Sequence, residues 1–401
     1  MQHSFFRLSV SLAMITVLGP SAIDMYLASL PDMAKELEAS ATQIQLTLTV
    51  FLMAMGLGQL VAGPVIDAIG RRKPLLSAVL LFIICSLWAS RADTFNTLLY
   101  ARFFQGLAAS MTLVVAISMV RDLASGTEAA KLFALLMTIE GLAPVLAPAL
   151  GGYIDAYAGW KAVMLMLALM GLIAFINSWF LLPESLPAQL RQPLKPTLIL
   201  KTYYRLITDR DFMLPAMSLS AAFFFLFIYI GGASFVYQTY YALSPDSFGL
   251  VFGGTGIAVL IGAVSAGRWV THLSVPSVAL RGVMAMAAGA VIAGLSGAGG
   301  IGLPGVVAGM FLAMFGLGIA EATLMSMTMS TQKTALGSAA AVLGALQLVL
   351  SAAATPVAGY LSGRGTGYWL GFLVFFGIVV VLLTVLSIRR TRNDVEYVSV
   401  H

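Results

Sequence analysis

An all-α bundle of twelve membrane-spanning helices is the fold this sequence predicts, and three observations carry the expectation. Of the 401 residues, 60% are hydrophobic and only 10% are charged, with a mean hydropathy of +0.95. A soluble domain needs far more charge to cover its surface. The apolar residues gather in runs close to the 20 or so that a helix needs to cross a bilayer. Finally, runs such as Val79–Cys85 and Gly371–Leu386 do not alternate, which argues against a β-barrel and its strands of roughly ten alternating residues.

The runs fall at about 5–30, 42–66, 74–90, 95–119, 129–154, 160–182, 212–240, 247–270, 277–298, 304–330, 335–361 and 366–388. The first holds Gly19-Pro20 and Asp24 and lacks a convincing small-residue cleavage site, so it reads as a retained helix rather than a secretion signal. Charges or Pro/Gly pairs bound the others. The second ends in a Gly63–Lys73 turn, the third at Arg91, and the fourth at Arg121-Asp122. The fifth and sixth meet near Gly159, and the sixth stops before Pro183. The seventh follows Asp211, the eighth Asp246, the ninth Pro276, the tenth Pro304, the eleventh Lys333 and the twelfth Arg364-Gly365.

The segment 183–211 is rich in proline and cations and separates six runs from six. The expected organisation is a half at 1–182, a linker at 183–211, a second half at 212–388 and a tail at 389–401. Both halves have one hydrophobic layout, as parallel repeats do. Lysine and arginine crowd one side, leaving only Lys35, Arg91, Lys161 and Arg364 for the other. That bias puts both termini in the cytoplasm. Its scatter over many segments accounts for the positive net charge without a nucleic-acid stripe.

Cys85 stands alone, so neither a disulfide framework nor a thiolate metal site is expected. His3, His272 and His401 lie in tails or loops, and an intramembrane enzyme would need a nucleophile–base pair or metal ligands at membrane depth. No enzyme, metal or cofactor is expected.

Four ionisable residues interrupt the apolar runs: Asp24, Arg102, Glu140 and Glu321. Each costs roughly 2.5–3.5 kcal/mol to insert, so each marks a functional position. Asp24 and Arg102 lie at matched depth on the first and fourth helices, which allows a pair. Gln105 and Gly106 follow Arg102 at helical spacing, one offering an amide and the other close helix contact. The turn after the second helix, Gly63-Pro64-Val65-Ile66-Asp67-Ala68-Ile69-Gly70-Arg71-Arg72-Lys73, sets an acid and three cations between and after its glycines. The fifth helix carries Pro144 and Pro148, which remove hydrogen bonds from successive turns, and Gly151-Gly152, which allow close packing. That composition suits a bending element. Glu140 and Glu321 suit a site for a cationic or hydrogen-bonding molecule. Tyr229 and Tyr237 stand out in the aromatic seventh helix because each hydroxyl needs a partner.

Together these motifs resemble the major facilitator superfamily, and within it the drug:proton antiporters of the bicyclomycin- and chloramphenicol-resistance type. Gly63, Asp67, Gly70, Arg71 and Arg72 match the loop signature, with Val65 and Ala68 departing from it. Leu98, Arg102, Gln105 and Gly106 match the fourth-helix motif. Pro148, Gly151 and Gly152 match the fifth-helix antiporter stretch, where Ala143 and Ala147 replace glycine, and Ala28 replaces a proline in the first-helix motif.

The resemblance implies alternating access in a bacterial inner membrane. The protein would export drugs or other small amphipathic or cationic molecules in exchange for protons, or alternatively one endogenous metabolite such as a siderophore. It implies a monomer whose partners are substrate, protons and lipid. Asp24 would carry the proton, since desolvation favours its neutral form and a nearby arginine its charged form. Arg102 would couple it. Asp67 and Arg71, with Gly63, Gly70, Arg72 and the fifth-helix prolines and glycines, would gate the inner side. Outside those motifs, Glu140 and Glu321 are expected to face the cavity, as substrate sites or as a second proton site, and Gln105, Tyr229 and Tyr237 to line it.

Overall fold

The computed structural model describes residues 2–332 and 335–399. Lys333, Val400 and His401 therefore lie outside the described residues. Described residues are helical or connecting, with no strand among them, and eleven helices are long and apolar enough to cross a membrane. One of these, Gly126–Leu181, has 56 residues. At 1.5 Å per residue it would be about 84 Å long, far beyond the roughly 30 Å of hydrocarbon. Gly159 divides it with the non-helical dihedrals φ 75°, ψ 171°. Glycine tolerates that left-handed region at no Cβ cost. Two spans result, and the total is the expected twelve.

The chain forms two compact units: residues 1–196 with 243–253, and residues 197–242 with 254–401. The first unit begins with a segmented span rather than the single expected helix. It comprises α1 (Gln2–Thr16), α2 (Leu18–Asp24), a 3₁₀ turn at Leu27–Ser29 and α3 (Leu30–Glu36). Pro20 and Pro31 each lack the N–H that an unbroken ladder requires, and the α-helix is interrupted immediately after Asp24. There follow α4 (Ala41–Ile69), α5 (Arg72–Ser90), α6 (Phe95–Leu123) and α7 (Gly126–Leu181). A capping box starts α4: Ser40 Oγ accepts from Gln43 N–H at 3.2 Å, and Gln43 Oε1 accepts from Ser40 N–H at 2.9 Å. Gly70, at φ 99°, ends it.

The expected linker holds structure of its own, because Pro196–Thr208 forms the amphipathic helix α8. Its apolar residues sit at helical rather than random spacing, and this overrides the proline-rich start. In the second unit come α9 (Arg210–Phe235), which widens into a π-helical turn at Val236–Tyr240, and then α10 (Pro245–Trp269), whose first turns belong to the first unit. The unit continues with α11 (Val275–Ala298), α12 (Leu303–Ser330), α13 (Leu336–Arg364) and α14 (Thr366–Ser399). The expected tail is thus a helical continuation of the last span for most of its length.

α11 and α12 meet through reciprocal glycines. A methyl on Gly289 would overlap Ala313, one on Gly309 would overlap Ala293, and one on Gly316 would overlap Met286, in each case at the backbone. Without a hydrophobic driving force between helices in lipid, such close van der Waals seams are what hold a membrane bundle together.

Candidate functional site

Arg102 is fully buried in the first unit, so it does not reach out to headgroups. Its Nη1 donates to Gln105 Oε1 at 2.6 Å, and its Nη2 donates to the Ala22 carbonyl at 2.8 Å. The guanidinium lies 4.3 Å from the centroids of both the Tyr26 and Phe51 rings. A desolvated cation–π contact contributes about 2 kcal/mol, and together these groups replace part of the water that the cation has lost, while its buried Nε has no hydrogen-bond partner. Gln105 Nε2 donates onward to Ser86 Oγ at 2.7 Å, and Ser86 to the Phe82 carbonyl at 2.7 Å. Glycine at 106 makes the arrangement possible. A side chain there would overlap the Phe51 backbone, so α6 and α4 approach closely enough for Phe51 to cover Arg102.

Asp24 is buried at the end of α2, two residues from the carbonyl that Arg102 holds. The expected side-chain pair with Arg102 does not form; what Arg102 contacts on this span is backbone. Among the described residues no cation lies within ion-pair distance of the Asp24 carboxylate, and Arg102 grips the helix backbone instead. The broken helix explains this. The interruption after Asp24 leaves backbone acceptors near the break, and a planar guanidinium satisfies one of them.

At the other end of the first unit, the turn after α4 is tied into a charged cluster. Arg71 Nη1 meets Asp67 Oδ1 at 2.7 Å, and its Nε meets Asp122 Oδ2 at 3.0 Å. Ser185 Oγ donates to the same Asp122 oxygen at 2.8 Å. Glu184 accepts from the backbone N–H groups of Arg71, at 2.8 Å, and Arg72, at 3.3 Å. It thereby places a carboxylate on the positive end of α5. Arg72 donates to the Leu182 and Trp179 carbonyls at 3.0 and 2.7 Å. Gly63 lies in α4 with open space around it.

In α7, Pro144 and Pro148 sit within continuous helix. A methyl at Gly151 would overlap the Met25 carbonyl, and one at Gly152 the Pro245 carbonyl. Glu140, also in α7, is half-buried and has an electrostatic or hydrogen-bonding neighbour. Glu321, in α12, is half-buried as well. Tyr229 and Tyr237 are fully buried around Trp369. The Tyr229 ring stacks on Trp369 at 6.2 Å, and Tyr237 meets it edge-on at 6.4 Å. The Tyr229 hydroxyl finds Thr255 Oγ1 at 3.1 Å, and Trp369 Nε1 donates to the Ile228 carbonyl at 2.9 Å. These two tyrosines brace α9 against α14 and are closed to solvent in this conformation.

Residues 12–347 match the family model described as Major Facilitator Superfamily. The chain belongs to the Major Facilitator Superfamily. Over 390 residues it is 36% identical to a Bacillus subtilis protein named as an uncharacterized MFS-type transporter, YdgK, covering 96% of each chain. It is 30% identical over 272 residues to the bicyclomycin resistance protein homolog of Haemophilus influenzae, covering 68% of each. Among solved structures, that of a D-xylose–proton symporter superposes with a TM-score of 0.75 at 16% identity, over 94% of this chain and 97% of the other. That likeness concerns the fold alone. The facilitator bundle is thus a multi-pass membrane protein of a transporter family and not an enzyme.

In this facilitator chain, sequence reasoning found Asp67 and Arg71 but missed Asp122 and Glu184. Arg121-Asp122 and Pro183-Glu184 read as ordinary boundaries where helices leave the membrane. Only the folded chain brings Asp122, 51 residues from Arg71, and Glu184, 113 residues away, to one place. Asp155 was missed too, because it follows the apparent end of the fifth apolar run by one residue.

Proposed function

We propose that the chain is a proton-driven exporter of drugs or other small amphipathic or cationic molecules, working by alternating access in the bacterial inner membrane with both termini cytoplasmic. Family membership supports transport, and the resistance name of the Haemophilus relative supports drugs as cargo. The observation that carries proton coupling is Asp24, a buried carboxyl at a helix break with no cation on it, beside a backbone that Arg102 grips. An ionised carboxyl in such a place is costly, and binding a proton removes the cost. Loading the proton changes what the end of α2 asks of its surroundings, and Arg102 passes that change from α2 to α6.

In this reading the proton gradient is the energy source and the working unit is a monomer. The Asp67–Arg71–Asp122 cluster, with Gly63, Gly70 and Arg72, shapes the cytoplasmic side, and Pro144, Pro148, Gly151 and Gly152 let α7 rock. Glu140 in the first unit and Glu321 in the second each bias the cargo toward cations, and Gln105, Tyr229 and Tyr237 are assigned to substrate contact.

Vesicles holding the purified protein and a pH-sensitive dye test the core of this. Adding ethidium or chloramphenicol should release protons, and Asp24→Asn should abolish release while leaving the protein folded. Undiminished release in that variant would remove Asp24 from the mechanism, and proton uptake with substrate in the same direction would exclude antiport.

A further inference from the structure

Asp155 is a second buried carboxyl in the first unit, on a stretch of α7 that no motif assigns. It is 6% exposed. Its Oδ1 accepts from Ser29 Oγ at 2.8 Å, and its buried Oδ2 has no hydrogen-bond partner. The packing register places it relative to Asp24. Gly151 abuts Met25, and four residues on, Asp155 meets Ser29, four residues after Met25. The two helices therefore run in parallel and in step. Ser29 lies five residues beyond Asp24, which is roughly 8 Å along the axis.

The charges on surrounding elements leave Asp155 without a counter-ion. On α3, Asp32 is close enough for its charge to act on Asp155, and it is engaged by Lys35 at 3.2 Å. Lys161, further along α7, is shared between Glu36 at 3.0 Å and Asp93, before α6, at 3.1 Å. Asp246, at the start of α10 near Gly152, is a further acid. Tyr26, inward on the broken span, is given over to Arg102. Lys35 and Lys161 are thus paired with other acids, and among the described residues no cation pairs with Asp155. A buried carboxyl so placed can take one counter-ion small enough to need no space, which is a proton.

We propose that Asp155, with Ser29, forms a second proton-binding site about one and a half turns from Asp24 toward the face bearing Asp32 and Glu36, and that it hands protons to Asp24. This rests on the reading of Asp24 as the coupling carboxyl. In the transfer, protonated Asp155 and ionised Asp24 become ionised Asp155 and protonated Asp24. The Ser29 hydroxyl, already bonded to Asp155, lies on the intervening stretch. Exposed Asp32 and Glu36 at the mouth collect protons from water.

Infrared difference spectroscopy on the full-length protein in lipid, titrated between about pH 5 and pH 9, follows carboxyl bands without any substrate. Asp155→Asn should remove one titrating band. Ser29→Ala should keep that band and shift its frequency, since the 2.8 Å hydrogen bond is lost. Because Ser29→Ala deletes only a hydroxyl, its shift decides the question even where Asp155→Asn does not accumulate. After a pH jump, protonation of the Asp24 band should be several-fold slower in Asp155→Asn. An unchanged titration in Asp155→Asn, or a band indifferent to Ser29→Ala, overturns the site, and an unaltered jump rate overturns the relay. If Asp24→Asn removes no band while Asp155→Asn does, the coupling role of Asp24 fails and the second site stands.

Discussion

Arg102 has every feature of a residue that tolerates no substitute. Two nitrogens are bonded at 2.6 and 2.8 Å to groups in different directions, and the guanidinium carbon lies over two aromatic rings at 4.3 Å from each centroid. Lysine keeps the charge but has neither the fork nor the flat surface. Losing a hydrogen bond to a charged group costs about 1.5–3 kcal/mol, roughly tenfold or more in a rate. Arg102→Lys should therefore slow proton-coupled exchange by at least about tenfold in the vesicle assay, and exchange within twofold of wild type would contradict the coupling role. Glu184 offers a different test, one of pH. Burial alone would push its carboxyl up, but the N–H groups of Arg71, Leu186 and Arg72 and the charge of Arg191 outweigh this and hold it below the ordinary glutamate range. A group with a lowered folded pKa stabilises fully above its unfolded value, and the contribution disappears as pH falls through the folded value. The thermal stability gap between wild type and Glu184→Gln should accordingly be constant at neutral pH and close only in acid, below the usual glutamate titration. A gap that closes near neutrality would be inconsistent with the clamp.

Among the elements, the turn between α4 and α5 shows why a sequence motif and its energetics diverge. Asp67 is the motif residue, yet its side chain is 53% exposed, whereas Asp122 is 18% exposed and meets an Arg71 side chain that is 7% exposed. An exposed ion pair contributes about 0–1 kcal/mol, and breaking a buried one costs about 3–5 kcal/mol. Asp122→Ala should therefore lower thermal stability clearly more than Asp67→Ala, as unfolding followed by tryptophan fluorescence would report; the reverse order would mean that Asp67 is the anchor. The seam between α11 and α12 makes a parallel case. Overpacking costs about 1–3 kcal/mol, so Gly289→Val, driven against the Ala313 backbone, should destabilise the second unit by about that amount. The apolar runs themselves were legible because hydropathy is local. The break after Asp24 and the helix in the linker were less so, since one depends on where two prolines sit and the other on an amphipathic period inside a polar stretch. Arg102 was legible because a lone cation in an apolar run is rare. Its partner was not, because a backbone carbonyl leaves no mark in a sequence.

At the scale of the whole molecule, the sidedness of the bundle governs what every other residue does. On the proposed orientation, drawn from the cation bias, the Asp67–Glu184 cluster and α8 lie inside, and the Asp32, Glu36 and Asp93 face lies outside. On that orientation Asp155 is reached by protons from the outer solution. The chain is well suited to a direct check, because Cys85 is its only cysteine and is buried. A membrane-impermeant thiol reagent should therefore leave the parent chain unlabelled in intact cells. Asp93→Cys, at a position whose side chain is 86% exposed, should be labelled in intact cells, and Lys161 keeps its bond to Glu36 in that variant. Leu198→Cys, at a position 57% exposed on α8, should be labelled only after the membrane is opened. The opposite pattern would invert the bundle, so that the Asp155 site would open to cytoplasmic rather than external protons. Labelling at both positions in intact cells would mean that they share a face, and the count of spans between residues 93 and 198 would have to be even rather than the three that α6 and the divided α7 supply.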